Sequence, residues 1–389
     1  MSKRLKRLLS CIPDPSAYSP KRLFCLDLLR GVDMFYLAVG GVLLEPILKL
    51  TGASTPVCRM LTWHPWYGFT FWDMIMPLFI FMSGAAVPFA LGKRLDADGR
   101  PAKGYWKHVW SRFALLWFLG MIAQGGLTHL DIKEFIPYSN TLQTIAVGYV
   151  VAAWLYPMRK WVFKVALPIA LLVVYGLLIH FGGDYTADGN LAQVVDLRVW
   201  NWMLPPDNTQ IGFIHQYHYA WLLPSMMFPV LALGGCYSTQ ILLRKDPAWT
   251  RAGWLALFGG ISLAAGWVLY FCGIEMVKHI FTVSFTLQAV GWAVLALDAL
   301  FVLTDIWKLR RGTGLILLFG QFALVAYLME SVFREPAFAL VRRFVHGVPH
   351  LFGCVKGGSG EALIEGIGFS VLTVIVLVVY RRLKNKGEK

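Results

Sequence analysis

What limits this chain most is a series of apolar runs, each about as long as a helix that crosses a bilayer. Such a helix needs roughly 20 mostly apolar residues. About ten stretches approach that length: 24–48, 71–92, 108–127, 140–157, 162–181, 216–243, 252–272, 280–304, 313–333 and 361–380. In hydrocarbon a run of this kind satisfies its backbone groups as a helix. The expected fold is therefore an all-α integral membrane protein, a polytopic bundle of about ten transmembrane helices. Composition agrees, with 57% hydrophobic and 15% charged residues, against about 45–50% and a quarter in soluble domains.

The formal charge of +14 would suit nucleic acid if it formed one patch. Instead the cations sit in short clusters between the apolar runs, where they set topology. One set of segments holds Lys3, Arg4, Lys6, Arg7, Lys21 and Arg22, then the cations of 93–107, Arg159 and Lys160, Arg244 and Lys245, Arg310 and Arg311, and the basic tail after 380. The opposite loops hold scattered cations such as Arg59, Lys133, Arg198 and Lys278. Both termini are accordingly expected to be cytoplasmic, and the segments around His64, 182–215 and 334–360 to face the periplasm or the lumen of an equivalent compartment. The basic N-terminal stretch lacks an apolar h-region, so it reads as a cytoplasmic lead-in and not as a cleaved signal. The expected organisation is a basic segment 1–23, a single transmembrane domain 24–380 and a basic tail 381–389.

Chemistry concentrates in the stretch TWHPWYGFTFWDMIMPLFIFMSG, Thr62 to Gly84. His64 titrates near neutral pH and can move protons. The aromatics around it, Trp66 foremost, mark a water–lipid boundary. Asp73 stands at the entrance of an apolar run, where an ionisable group is costly unless it is paired, solvated or used. The reading left open is an interfacial loop with a hydrated His64. A second cluster, Lys278, His279, Thr282 and Ser284 in VKHIFTVSF, sets a cation beside hydroxyls, an arrangement suited to a sugar or carboxylate ligand and equally to snorkelling.

Asp27, Arg30 and Asp33 recur every three residues, along one helix face. They read as an ion-pair anchor, with Arg30 also available to an anionic cofactor. Gln124, Gln143 and Gln321 are polar groups in apolar runs and read first as helix-to-helix contacts. Asp298 and Glu330 also lie inside apolar runs and are expected to face protein. His215 and His218 in HQYH share a helix face if the helix is continuous, without an evident third metal ligand. The long segment 182–213 reads as a cover over the outer face. The six cysteines show no metal spacing. Cys58 and Cys354 fall in loops on the same side, which leaves a disulfide between them open. Gly-rich nucleotide motifs, GxSxG and HExxH are absent, and no metal is expected.

The order of several blocks resembles the transmembrane acetyltransferases related to heparan-α-glucosaminide N-acetyltransferase. The blocks are LDLLRGVDMF (26–35), His64-Pro-Trp66-Tyr-Gly68 with FTFWDMIMPLFIFMSG (69–84), SNTLQTIAVGY (139–149), WLLPSMMFPVLALGGCYSTQILL (221–243), KHIFTVSFTLQAVGWAVLALD (278–298) and FGQFALVAYL (319–328). The resemblance implies a donor, acetyl-CoA, presented from the cytosol, and an acceptor amine on a glucosamine-containing sugar or glycan on the other side. It makes His64 the catalytic residue, as general base or as acetyl carrier. On that reading Trp66, Asp73, Lys278 and Ser284 serve the acceptor, and Arg30 and Gln143 serve acetyl-CoA. The expected setting is a bacterial inner membrane with the His64 loop periplasmic, and the family resemblance suggests a homodimer. The chain departs from the family pattern at Gly40 and Gly41, where an Asn is expected, and at Thr144, where the family has Arg. Two other functions remain open, an amino-sugar permease on the same scaffold and a glycan O-acetyltransferase.

Overall fold

The computed structural model of the protein describes residues 13, 15, 23–52, 55–62, 65–124, 131–352 and 354–387. His64 lies outside the described residues, as does nearly all of the segment 1–23. Among the described residues the architecture is helical, with one isolated bridge, Leu95 to Pro101, and no strand. In chain order the helices used below are α1 (Phe24–Leu50), α2 (Trp72–Arg94), α3 (Tyr105–Ala123), α4 (Thr141–Leu155), α5 (Trp161–Gly182), α6 (Leu191–Met203) and α7 (Thr209–Tyr217). They continue as α8 (Phe228–Leu242), α9 (Ala248–Phe271), α10 (Val283–Ile306), α11 (Gly314–Gln321), α12 (Ala323–Ser331), α13 (Arg334–Val345) and α14 (Ser359–Gly387).

Among the described residues, six of these (α1, α2, α5, α9, α10 and α14) are long and apolar enough to cross a membrane, or seven spans if α11 and α12 count as one. The sequence marks more runs because apolarity does not reveal breaks. Within 216–243 the chain leaves α7 at Tyr217, passes a 3-10 turn at Leu223–Met226 and starts α8 only at Phe228. Pro224 and Pro229 explain this: each sits in the first turn of its element, where its missing N–H costs nothing, and neither can continue a preceding helix. The run 313–333 is likewise two helices bent by 78° at Phe322. α4 is a 15-residue helix, about 22 Å long and so shorter than a hydrocarbon core of roughly 30 Å.

The chain divides into two compact units, Met1–His64 with Ala299–Lys389, and Pro65–Asp298. In the second, α2 is the central element: 72% of its apolar window is buried, against 11% for α5. α8 crosses α2 at backbone contact, since a Cβ on Gly84 would lie 1.7 Å from the Ala232 carbonyl oxygen and one on Gly235 would lie 1.9 Å from that of Phe81. Small residues permit such a crossing, and dispersion between close-packed backbones holds it in lipid. The Thr239 hydroxyl donates to the Ala85 carbonyl at 2.9 Å beside it.

The first unit repeats the device. A Cβ on Gly31 of α1 would lie 2.0 Å from the Ile316 carbonyl oxygen, and one on Gly320 of α11 would lie 2.0 Å from that of Asp27. Phe24, Leu28 and Leu317 pack beside this crossing. α1 contains a π-helical turn, Tyr36–Gly40, at the place where the sequence departs from its expected Asn. The stripe expected from the sequence is present in part: Arg30 pairs with Asp27 at 3.2 Å, and Asp33 is buried. Glu330 in α12 pairs with Arg334 at 2.7 Å. Cys354 is a free thiol.

Candidate functional site

The site is built at one end of the Pro65–Asp298 unit, from the chain entering α2, the loop between α9 and α10, and the turn before α8. Asp73 lies in a 3-10 turn, Trp72–Met74, that opens α2. Its Oδ2 accepts from the Thr70 amide at 2.8 Å and the Thr70 hydroxyl at 2.8 Å, the reach-back that an acid in a first helical turn makes to an orphan N–H. Its Oδ1 faces Lys278 Nζ at 3.3 Å, and the two side chains keep only 1% and 7% of their exposure. Taking two charges out of water costs several kcal/mol per ion, offset only by close pairing and further hydrogen bonds. Here the carboxylate has both.

Lys278 and His279 sit on a loop that leaves little freedom. The Thr282 hydroxyl accepts from the Val277 amide at 3.0 Å, and the Ser284 hydroxyl donates to the Glu275 carbonyl at 2.7 Å. Phe281 takes a left-handed conformation, φ 46°, unusual for a bulky residue. Outside the loop, Gly68 N–H donates to the Met276 carbonyl at 2.8 Å and Ala220 N–H to that of His279 at 3.2 Å. The Tyr175 hydroxyl of α5 donates to the Ile280 carbonyl.

An aromatic group surrounds the ion pair. Trp66 stacks on His279 with centroids 4.8 Å apart and planes 25° apart, and meets His218 edge-on at 6.0 Å. Its indole N–H donates to the Tyr185 carbonyl at 2.8 Å. Tyr219 packs against His279 at 4.5 Å and Trp221 at 5.6 Å. Burial pushes the Tyr219 phenol above its ordinary pKa; the Lys278 charge and a hydrogen bond to it act the other way.

The segment 182–213 carries α6 and the start of α7, joined by short non-helical turns. Asn190 caps α6 by accepting from the Gln193 amide at 2.8 Å, and α6 buries Gln193, Asp196 and Trp200. The Asp196 carboxylate accepts from the amides of Trp221 at 2.7 Å and Leu222 at 3.1 Å, fixing the turn that carries Tyr219. Burial raises its pKa to about 7, although those amides favour the charged form. Gln193 also meets His218 Nδ1 at 3.0 Å. His218 lies past the end of α7 with φ 54°, so the shared helix face expected for His215 and His218 ends before the second histidine.

Of the residues singled out in the sequence, the structure brings Trp66, Asp73 and Lys278 together. Ser284 is buried and holds the Lys278 loop through its bond to Glu275. Gln143 is the reciprocal member of the α4 capping box: its Oε1 accepts from Ser139 and Asn140 N–H at 2.9 and 3.1 Å, and its Nε2 donates to the Pro137 carbonyl at 2.6 Å. Arg30 belongs to the other unit. Tyr219, Tyr185 and Asp196 are participants that sequence reasoning misses. The aromatic density of HQYHYAW (215–221) is the signal for the first, masked by reading 216–243 as one span. Among the described residues no three His, Cys, Asp or Glu side chains form a metal-holding group.

Compared with protein-family models and with curated proteins, the chain matches none.

Proposed function

We propose that the chain is a transmembrane acetyltransferase that moves acetyl from cytosolic acetyl-CoA to the amine of a glucosamine-containing sugar on the opposite side of a bacterial inner membrane. The observation that carries this reading is the buried Asp73–Lys278 pair beside the stacked Trp66–His279 rings, with Trp66 and Asp73 in the chain that directly follows His64. Aromatic faces suit a sugar ring, and a fixed ammonium suits an anion or a developing oxyanion. The block resemblance from His64 to Gly84 adds the expected chemistry.

In this reaction the acceptor nitrogen bonds to the thioester carbonyl carbon and the C–S bond breaks. The proton lost by nitrogen passes to His64 and from there to the coenzyme A sulfur. If His64 attacks first, an acetyl-imidazole forms and kinetics become ping-pong. Lys278, oriented by Asp73, supplies positive charge near the acceptor, and Arg30 is a cation for the acyl donor. About ten crossings with both termini cytoplasmic, and a homodimer, complete the proposed arrangement.

The test is incubation of membranes with labelled acetyl-CoA and a panel of glucosamine derivatives. Amide product from wild type, lost about 100-fold or more in His64→Ala, is the expected result. Unchanged transfer in that variant excludes His64, and ester product redirects the reading to O-acetylation. One observation favours a second reading, an amino-sugar permease: α11 and α12 form a broken pair bent by 78°, the kind of discontinuity that lines transporter sites. Sugar uptake without coenzyme A release identifies it.

A further inference from the structure

Beside the site, α5, α9 and α10 enclose an open apolar groove of about 430 Å³, within the roughly 300–1,000 Å³ of small-molecule sites. Its walls are Val173 and Leu177 of α5, Leu269 of α9 and Leu287 of α10, with His180 and Cys272 near one end. All three helices are long and apolar enough to cross a membrane. The groove therefore opens toward hydrocarbon, and its occupant must be a hydrocarbon chain or another membrane-embedded surface.

What the groove adjoins separates these. Ile274, at its end, begins the loop that carries Lys278 and His279. His180 Nδ1 meets the Tyr185 hydroxyl at 3.2 Å, and the Tyr185 carbonyl takes the Trp66 indole N–H. A chain of contacts thus links the apolar groove, through the polar His180–Tyr185 rim, to Trp66, which stacks on His279 beside the buried charge pair. That sequence of environments matches an amphiphile with a long chain and a sugar head. A phospholipid of the bulk bilayer has no use for the inner part, and a second copy of the chain would cover the groove without reaching it.

We propose that the acceptor is a lipid-borne amino sugar, whose alkyl or polyprenyl chain lies in the groove while its head reaches Trp66 and Lys278. This rests on the acetyltransferase reading and specifies its substrate class. Val173 and Leu177 are each more than half exposed, so a larger side chain there fills the groove from outside without disturbing the packing beneath.

The experiment compares glucosamine with its n-octyl and n-decyl glycosides as acceptors, in membranes carrying wild type, Val173→Trp or Leu177→Trp. For wild type, KM falls roughly tenfold or more from glucosamine to the decyl glycoside, as buried methylenes add affinity. In the two variants that gain disappears while the rate with glucosamine stays unchanged. Partition into the bilayer is equal in all three, so a gain kept by both variants overturns the proposal, as does a wild type indifferent to chain length. Transfer to none of these acceptors is a failure of the acetyltransferase reading itself, and the groove is then tested by binding. A diazirine-bearing dodecyl glucosaminide labels peptides within 169–181 or 269–287, and decyl glucosaminide displaces it while decanol does not. Equal displacement by decanol, no label, or a cross-linked second copy at these residues overturns the proposal.

Discussion

Asp27 and Arg30 meet one helical turn apart, at 3.2 Å, and both side chains stay partly exposed. Asp73 and Lys278 meet at a similar distance, 3.3 Å, but from separate parts of the chain and almost wholly buried. The units that hold them are otherwise alike in construction, each centred on a reciprocal glycine crossing between two helices. The difference teaches where cost is concentrated. A local, partly exposed pair is a small electrostatic convenience. A buried pair assembled across the fold is expensive to form and more expensive to break, and it stands among stacked aromatics in the region that carries the proposed chemistry.

The shared feature gives the largest expected effect. Gly84→Leu or Gly31→Leu forces a side chain into a backbone carbonyl and lowers stability by more than about 4 kcal/mol, read as lost thermal unfolding in detergent and lost expression. Equal loss in both units supports the parallel; a tolerated leucine in either one breaks it.

Next comes the buried pair. Lys278→Met leaves the Asp73 carboxylate uncompensated and costs about 3–5 kcal/mol. The double variant Asp73→Asn with Lys278→Met recovers most of that stability yet stays inactive in acetyl transfer. Recovery of activity along with stability would reduce the pair to a structural part.

A smaller effect is set by Asp196, whose pKa burial raises to about 7. Because the folded state then holds a proton that the unfolded chain releases near pH 4, the contribution of Asp196 to stability is greatest below pH 4, falls as pH rises toward 7, and is level above it. The expected loss between pH 5 and pH 8 is about 3 kcal/mol, read from melting temperatures at those two values. Asp196→Asn flattens the slope; an unchanged slope assigns it to other groups.

The smallest effect belongs to Arg30→Ala, which changes stability by less than about 1 kcal/mol. Should KM for acetyl-CoA rise in the same variant, Arg30 acts on the donor. An unchanged KM leaves it as an anchor for Asp27.

The contrast between the two pairs also marks what the sequence makes legible. Asp27–Arg30 is read directly from a three-residue spacing, because helix geometry brings such neighbours together. Trp66, Asp73 and Lys278 stand out as costly or amphipathic groups at the ends of apolar runs, yet nothing local says that the last two meet. α1, α2 and α5 follow the apolar runs within a few residues. The breaks at Phe322 and before Phe228 do not, since apolarity continues through them. Gln143 is hardest to read: an amide in an apolar run has the same signature whether it joins helices, meets a ligand or, as here, caps its own helix.

The most direct measurement places acetyl-CoA inside sealed proteoliposomes and glucosamine outside. Acetyl transfer across the bilayer predicts external N-acetylglucosamine, formed in step with coenzyme A inside and abolished by His64→Ala. Entry of glucosamine into the vesicles with the thioester left intact would contradict the account.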